Sequence, residues 1–163
     1  MLLPSWGISN AAATLVGQNL GAKRPDRAEK SVWAVGKVNI VFMGLVSVVL
    51  ILIPSFFIRL FISDEGVIRS GELSLRIISF GFVSYGLGMV MVQALNGAGD
   101  TVTPTIINLF CFWLIEIPLA YLLALSLGYG ESGVYYAIIT AETMMTLTAA
   151  WFFNKGKWKL KAV

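Results

Sequence analysis

The feature that most constrains the fold is residues 38–58, which contain no charged side chain. A run of this length can cross the hydrocarbon core of a bilayer as one α-helix, which needs about 20 apolar residues. Residues 77–99 form a second charge-free run, and residues 104–127 and 133–153 each carry one acidic side chain. The sequence therefore predicts four complete membrane-spanning helices.

The composition supports a membrane protein. The chain is 57% hydrophobic and 13% charged, and its mean hydropathy is +0.79. A soluble domain of 163 residues could not cover so much apolar surface with so few charges. We therefore expect an all-α integral membrane protein that is surrounded by the lipid bilayer.

Residues 4–19 are also free of charge, but this run is short for a span and carries several polar side chains. We interpret it as the truncated end of a further span, buried in protein. A helix lying on the membrane surface is the alternative. It is less favoured because the polar residues do not gather on one face.

The basic residues form two clusters that predict the orientation in the membrane. Lys23, Arg24, Arg27 and Lys30 lie in the loop of residues 20–37, and four lysines alternate along the tail of residues 154–163. The positive-inside rule assigns both clusters to the cytoplasmic side of the plasma (inner) membrane. Four spans separate them, and an even number returns the chain to the side from which it started.

Prolines and a threonine predict local helix geometry. Pro25 can open a short interfacial helix as its first residue, which would place Trp33 at headgroup depth. Pro54 predicts a kink near the outer end of the first complete span. Thr103 precedes Pro104 and is therefore a candidate N-cap for a helix that starts at Pro104.

The residues needed for most catalytic sites are absent from the sequence. There is no histidine, and Cys111 is the only cysteine, so neither a histidine–cysteine metal cluster nor an intrachain disulfide can form. The glycines of residues 17–23 do not have phosphate-loop spacing. The basic residues lie at membrane boundaries rather than on one folded face, which argues against nucleic-acid binding. We predict neither an enzyme nor a bound cofactor.

Two acidic residues inside predicted spans are the sharpest candidates for function. Glu116 and Glu142 each lie near the middle of a span, where an ionisable group usually faces a cavity or a partner. Such a carboxyl group could bind and release a proton, or attract a lipophilic cation. Alternatively, each is protonated or hydrogen-bonded to a neighbouring helix. For Glu142, Thr146 and nearby threonines could form such a polar seam.

The second complete span contributes three more candidates for a substrate or ion cavity. Tyr85, Gln93 and Asn96 are its polar side chains. A tyrosine in a packed helix is more often part of the core. The sequence does not indicate a metal ligand set.

Three segments carry a resemblance to a known family. Residues 16–25 read VGQNLGAKRP, residues 94–101 read ALNGAGDT, and residues 117–123 read IPLAYLL. In this order they resemble segments of the MATE (multidrug and toxic compound extrusion) transporters. The resemblance extends from about Trp6 to Trp158.

This resemblance implies a fold of twelve helices in two pseudo-symmetric lobes, of which this chain would supply the last part of the second lobe. It implies antiport of amphipathic, often cationic compounds against H⁺ or Na⁺ by alternating access. The opposing N-terminal lobe and two lobe-entry helices would be missing, so we expect no transport by this chain alone. Some family members carry an acidic residue in the tenth helix, where this chain has Tyr85, which leaves a sodium site of that kind unsupported.

Two other functions fit a multi-span chain. A related flippase for lipid-linked oligosaccharides would need a broad cationic cavity, whereas both charges inside the predicted spans, Glu116 and Glu142, are acidic. A membrane scaffold that transports nothing is the other alternative.

Overall fold

The computed structural model describes residues 2–160, and within them the chain forms helices and no strand. The first five helices are α1 (Leu2–Gly21), α2 (Pro25–Leu52), α3 (Pro54–Arg59), α4 (Glu65–Phe80) and α5 (Phe82–Gly97). The composite helix Val102–Ser126 follows, and it contains α6 (Val102–Asn108), α7 (Ile117–Tyr121) and two π-helical segments, Leu109–Glu116 and Leu122–Ser126. The last elements are α8 (Glu131–Asn154) and the 3-10 turn Lys157–Leu160.

Some of these helices are long and apolar enough to cross a membrane. Among the described residues, α2 and the composite helix meet this criterion, and the bent pair α4–α5 adds a third if it is one span. Helix α8 has 24 residues but does not reach the apolar criterion. A membrane crossing by residues 133–153 therefore stays a prediction.

Helix α2 begins at Pro25, as the sequence predicts, but it does not end before the membrane span. It continues for 28 residues to Leu52, so the expected short interfacial helix and the span are one helix. The helix breaks at Ile53, and α3 starts at Pro54. The break lies at the predicted place because a proline cannot donate the next hydrogen bond of the helix.

The predicted second span, residues 77–99, is not one straight helix. Gly81 separates α4 from α5, and the two helices are bent by 53°. The side chain of Ile139 on α8 faces the bend, and a Cβ atom at Gly81 would lie 3.2 Å from its Cγ1 atom. The apolar run gives no sign of this bend, because hydropathy reports burial and not the direction of a helix axis.

The prediction that Thr103 caps a helix starting at Pro104 is wrong. Helix α6 begins at Val102, so Thr103 lies inside it. The Asp100 carboxylate accepts hydrogen bonds from the backbone N–H of Thr103 at 3.3 Å and from its hydroxyl at 2.8 Å. A carboxylate is a strong acceptor for the free N–H groups of a first helical turn, and it takes this role from the threonine.

The core lies where α1, α2 and α5 pack against one another, and α8 packs against α5. Small side chains such as Ala12 and Ala94 are fully buried there. Gly97 on α5 touches the backbone of α1, and a Cβ atom on it would lie 2.6 Å from the Cα atom of Ala13. Close backbone approach through small residues is typical of helices packed inside a membrane.

The tail folds back onto the helices. The Trp158 side chain is 1% exposed, and its ring stacks on Phe153 with ring centroids 4.7 Å apart. Its indole N–H donates to the backbone carbonyl of Phe153 at 2.7 Å. The described part of the tail is therefore docked through Trp158, while Lys161 lies outside the described residues.

Lys159 joins the tail to the start of α2. Its ammonium group donates a hydrogen bond to Glu29 at 2.5 Å and lies 3.7 Å from the carboxylate of Asp26. The hydrogen bond to Glu29 raises the pKa of Lys159 above its usual value. The two basic clusters consequently lie at the same end of the helix bundle.

Candidate functional site

A small cavity lies at the bend between α4 and α5. It has a volume of about 140 Å³, and one residue of α8 supplies its only carboxyl group. Its lining consists of Ile78, Gly81, Phe82, Tyr85, Ile138, Ile139 and Glu142. The bend thus opens a pocket inside the packed helices, and two of the predicted site residues face it.

Glu142 is the central group of this cavity. It lies half-buried on α8, and its Oε2 atom is buried without a hydrogen-bond partner among the described residues. The hydroxyl of Thr146 donates to the backbone carbonyl of Glu142 and not to its carboxyl group. A buried carboxyl oxygen that no protein group satisfies is free to accept a proton or to bind a cation.

Glu116 and Tyr85 belong to the same cluster. Glu116 is half-buried at the end of the π-helical segment Leu109–Glu116, and its charge acts on the carboxyl group of Glu142. Tyr85 lines the same cavity as Glu142, and Glu116 lies on a helix that packs against α8. π-Helical segments occur frequently at functional sites.

The other two predicted site residues, Gln93 and Asn96, lie apart from this cluster. The Gln93 side-chain amide donates to the Oδ1 atom of Asn10 on α1, and the Asn96 amide donates to Gln93 at 3.0 Å. These bonds join α5 to α1 and satisfy both side chains locally. Their geometry fits a polar seam between two helices better than a ligand site.

The sequence reasoning missed a buried asparagine. The Asn39 amide donates to the Ser9 hydroxyl at 3.2 Å and to the Gly86 carbonyl at 2.8 Å, so it joins α2 to α1 and α5. Asn39 is fully buried, and its Oδ1 atom has no partner among the described residues. The sequence could have indicated Asn39, because it is the only amide side chain in the charge-free residues 38–58.

The described residues contain no group of three or more histidine, cysteine, aspartate or glutamate side chains placed to hold a metal ion. Glu142 supplies the carboxyl group of the cavity and Tyr85 supplies its hydroxyl group, whereas Glu116 is not among the lining residues. A carboxyl group and a hydroxyl group suit a proton, a small monovalent ion or an organic cation.

The MatE family model matches residues 1–122 of the chain. The chain belongs to the MatE family. Its relatives include the probable multidrug resistance protein NorM of Thermotoga maritima, which is 28% identical over 99% of this chain and 35% of that protein. Protein DETOXIFICATION 29 of Arabidopsis thaliana is 26% identical over 96% of this chain and 31% of that protein.

A solved structure of a MatE-type transporter has the same fold. The crystal structure of the eukaryotic MATE transporter AtDTX14 superposes with a TM-score of 0.89 at 22% identity, over 96% of this chain and 35% of that chain. The prediction of a MATE-type all-helical membrane fold is therefore confirmed. The chain spans about a third of the length of the curated relatives it matches.

These relatives are named for multidrug resistance and detoxification, and the solved structure is that of a transporter. The membrane location expected for the family agrees with the apolar helices of the structure.

Proposed function

We propose that this chain forms part of the second lobe of a multidrug efflux antiporter. The protein would export amphipathic, often cationic compounds in exchange for H⁺ or Na⁺. The chain would work against an opposing N-terminal lobe and two lobe-entry helices, and the lobes would rock around a central cavity. The MatE match and the names of its relatives support this class of transport.

The observation that carries the proposal is the unbonded carboxyl oxygen of Glu142 in the cavity at the α4–α5 bend. Placing a charged side chain at the centre of the bilayer costs about 2.5–3.5 kcal/mol on the membrane-insertion scale. A group without a structural partner recovers that cost when it binds a cation or a proton. Glu142 and Glu116 would alternate between the coupling ion and the exported cation.

We also propose that residues 20–37 and the tail face the cytoplasm of the plasma (inner) membrane. The positive-inside rule assigns basic clusters to that side. The ion pair between Lys159 and Glu29, which holds both clusters at one end of the bundle, supports a common side.

The test is efflux of ethidium from cells that express the complete reading frame containing this chain. The Glu142→Gln variant removes the charge of the cavity and keeps its size, so we expect ion-driven efflux to fall at least about tenfold, as for other groups that act directly on a transferred proton. The matched control is Glu131→Gln, since Glu131 is an exposed acidic residue at the first turn of α8. Equal efflux in wild type and Glu142→Gln would remove this residue from the mechanism.

Uptake measurements in membrane vesicles identify the coupling ion and separate the alternatives. Inside-out vesicles with an imposed pH gradient, and then with an imposed sodium gradient, show which ion drives uptake. A flippase would instead move a lipid-linked oligosaccharide and leave ethidium inside the cell. A scaffold would show no flux in either assay, and Glu142→Gln would change only its stability. We expect no flux from liposomes that contain the 163-residue chain alone.

A further inference from the structure

A groove on the first turns of α2 lies far along the chain from the Glu142 cavity. It has a volume of about 660 Å³ and is formed by one face of the helix. Its lining consists of Asp26, Glu29, Lys30, Trp33, Ala34 and Lys37. The last turn of α8 borders it, because the rings of Trp33 and Phe153 meet edge to face at 6.4 Å.

The groove lining holds two carboxylates and two lysines, and Lys159 of the tail adds a third positive charge beside it. Both of its carboxylates, Asp26 and Glu29, are paired with Lys159 of the tail. Lys30 and Lys37 make no ion pair among the described residues. They lie seven residues apart on the same helix face, which places them about 10 Å apart along the axis, with Trp33 between them. The groove is therefore a positively charged site with an aromatic wall.

The groove continues into an apolar strip. Beyond Lys37, helix α2 carries no further charge, and Val41 and Leu45 follow on the same face at 63% and 64% exposure. A soluble anion would use only the two lysines. A phospholipid would use both regions, because its phosphate would lie against the ammonium groups while an acyl chain covers the apolar strip.

From this arrangement we infer that the groove of Lys30, Trp33 and Lys37 is a binding site for an anionic phospholipid. The headgroup phosphate lies between the two lysines, the glycerol backbone lies on the Trp33 ring, and one acyl chain runs along Val41 and Leu45. The tail affects this site indirectly. Lys159 of the tail forms ion pairs with Asp26 and Glu29, so these two carboxylates do not pair with Lys30 or Lys37.

Lipid titration of the full chain in detergent micelles, followed by native mass spectrometry, tests this site. The probes are dioctanoyl phosphatidylglycerol and the zwitterionic dioctanoyl phosphatidylcholine. We expect the wild-type chain to retain the anionic lipid preferentially. The double variant Lys30→Gln/Lys37→Gln should bind it at least about tenfold more weakly, since each basic residue near an anionic headgroup contributes about fivefold.

The matched control is Arg69→Gln/Arg76→Gln, which removes the same charge from exposed positions on α4. This control should keep the preference, and Lys30→Arg/Lys37→Arg should restore it. An equal loss in the control would show a response to net charge and overturn the site. So would a wild-type chain without a preference for phosphatidylglycerol, a result that does not depend on the folding of any variant. Displacement of the lipid by millimolar inorganic phosphate would assign the lysines to a soluble anion and also overturn the proposal.

Discussion

Glu142 and Gln93 show how differently two polar residues of the same membrane protein are treated. The Gln93 side chain is satisfied by Asn10 and Asn96, whereas the Oε2 atom of Glu142 has no partner in the described part of the chain. A buried polar atom without a hydrogen bond costs free energy. A residue that has a buried polar atom without a hydrogen bond and lies next to a cavity, such as Glu142, is a candidate for ligand binding. A residue whose hydrogen bonds are all made within the protein, such as Gln93, more often has a structural role.

Glu116 has a weaker claim than Glu142, and its role depends on the electrostatic interaction between them. In the complete protein, Glu116→Gln should shift the pH dependence of ethidium efflux and leave some efflux in place, because it removes a charge that acts on Glu142. Efflux measured across a range of external pH checks this. A pH profile identical to that of wild type would assign Glu116 a structural role only.

Gly97 allows the backbones of α1 and α5 to touch. Gly97→Ala should destabilise the chain by about 1–3 kcal/mol, since the added Cβ atom meets the backbone of Ala13 and a backbone cannot rotate away. Thermal unfolding in detergent, followed by circular dichroism, measures this. Gly7→Ala is the matched control, because a Cβ atom there meets nothing within 4 Å. The control should be neutral or stabilise α1 by roughly 0.5–1 kcal/mol. Equal melting of the two variants would contradict the close approach.

Two of the helices described above are interrupted, one by a bend and the other by π-helical segments. Gly81 bends the α4–α5 pair by 53° and opens the cavity beside Glu142. Pro118, two residues beyond Glu116, lies in the short α7 between two π-helical segments. A proline removes a hydrogen bond from the helix interior, and wider turns accommodate the loss. Both interruptions lie close to an acidic residue of the cluster.

The docked tail is an element whose contribution can be measured. Trp158→Ala should release it, because the loss of a fully buried tryptophan costs on the order of 3 kcal/mol and also removes the hydrogen bond to Phe153. Trypsin cleavage after Lys155 and Lys157 should become at least about tenfold faster. Leu160→Ala changes an exposed residue of the same tail and should leave cleavage unchanged. If both variants are cleaved at the wild-type rate, Trp158 does not hold the tail.

At the scale of the whole molecule, the two basic clusters define one end and the α3 region defines the other. Helix α2 starts beside the tail and ends at Leu52, so the following residues 53–64 lie at the opposite end. Large apolar side chains are exposed between these ends, among them Trp113 and Leu125 of the composite helix. Such a band needs a bilayer or further transmembrane helices to cover it.

Cysteine labelling tests this arrangement. In a Cys111→Ala background, Arg24→Cys and Lys157→Cys should react with a membrane-impermeant maleimide from the same side of inside-out vesicles. Phe61→Cys, on the exposed α3–α4 connection, should react only from the other side. This pattern follows from the contact between the tail and α2, which holds both basic clusters at one end. Labelling of positions 24 and 157 from opposite sides would overturn the common orientation.

Much of this architecture could be predicted from the sequence because its causes are local. Charge-free runs such as residues 38–58 locate apolar helices, and Pro25 and Pro54 locate a helix start and a break, since each effect depends on only a few neighbouring residues. Glu116 and Glu142 could be identified as candidates because a charge inside an apolar run is conspicuous.

The sequence by itself determined that this chain folds into apolar helices, and it predicts that the two basic clusters lie at the membrane boundaries. The tertiary structure decided which polar groups meet. It placed Glu142 with Tyr85 at a bend, paired Gln93 with Asn10, and used Asn39 to join three helices. The physical reason is that hydropathy depends on each residue and its neighbours along the chain, whereas a hydrogen bond or a cavity depends on the relative positions of helices far apart in sequence.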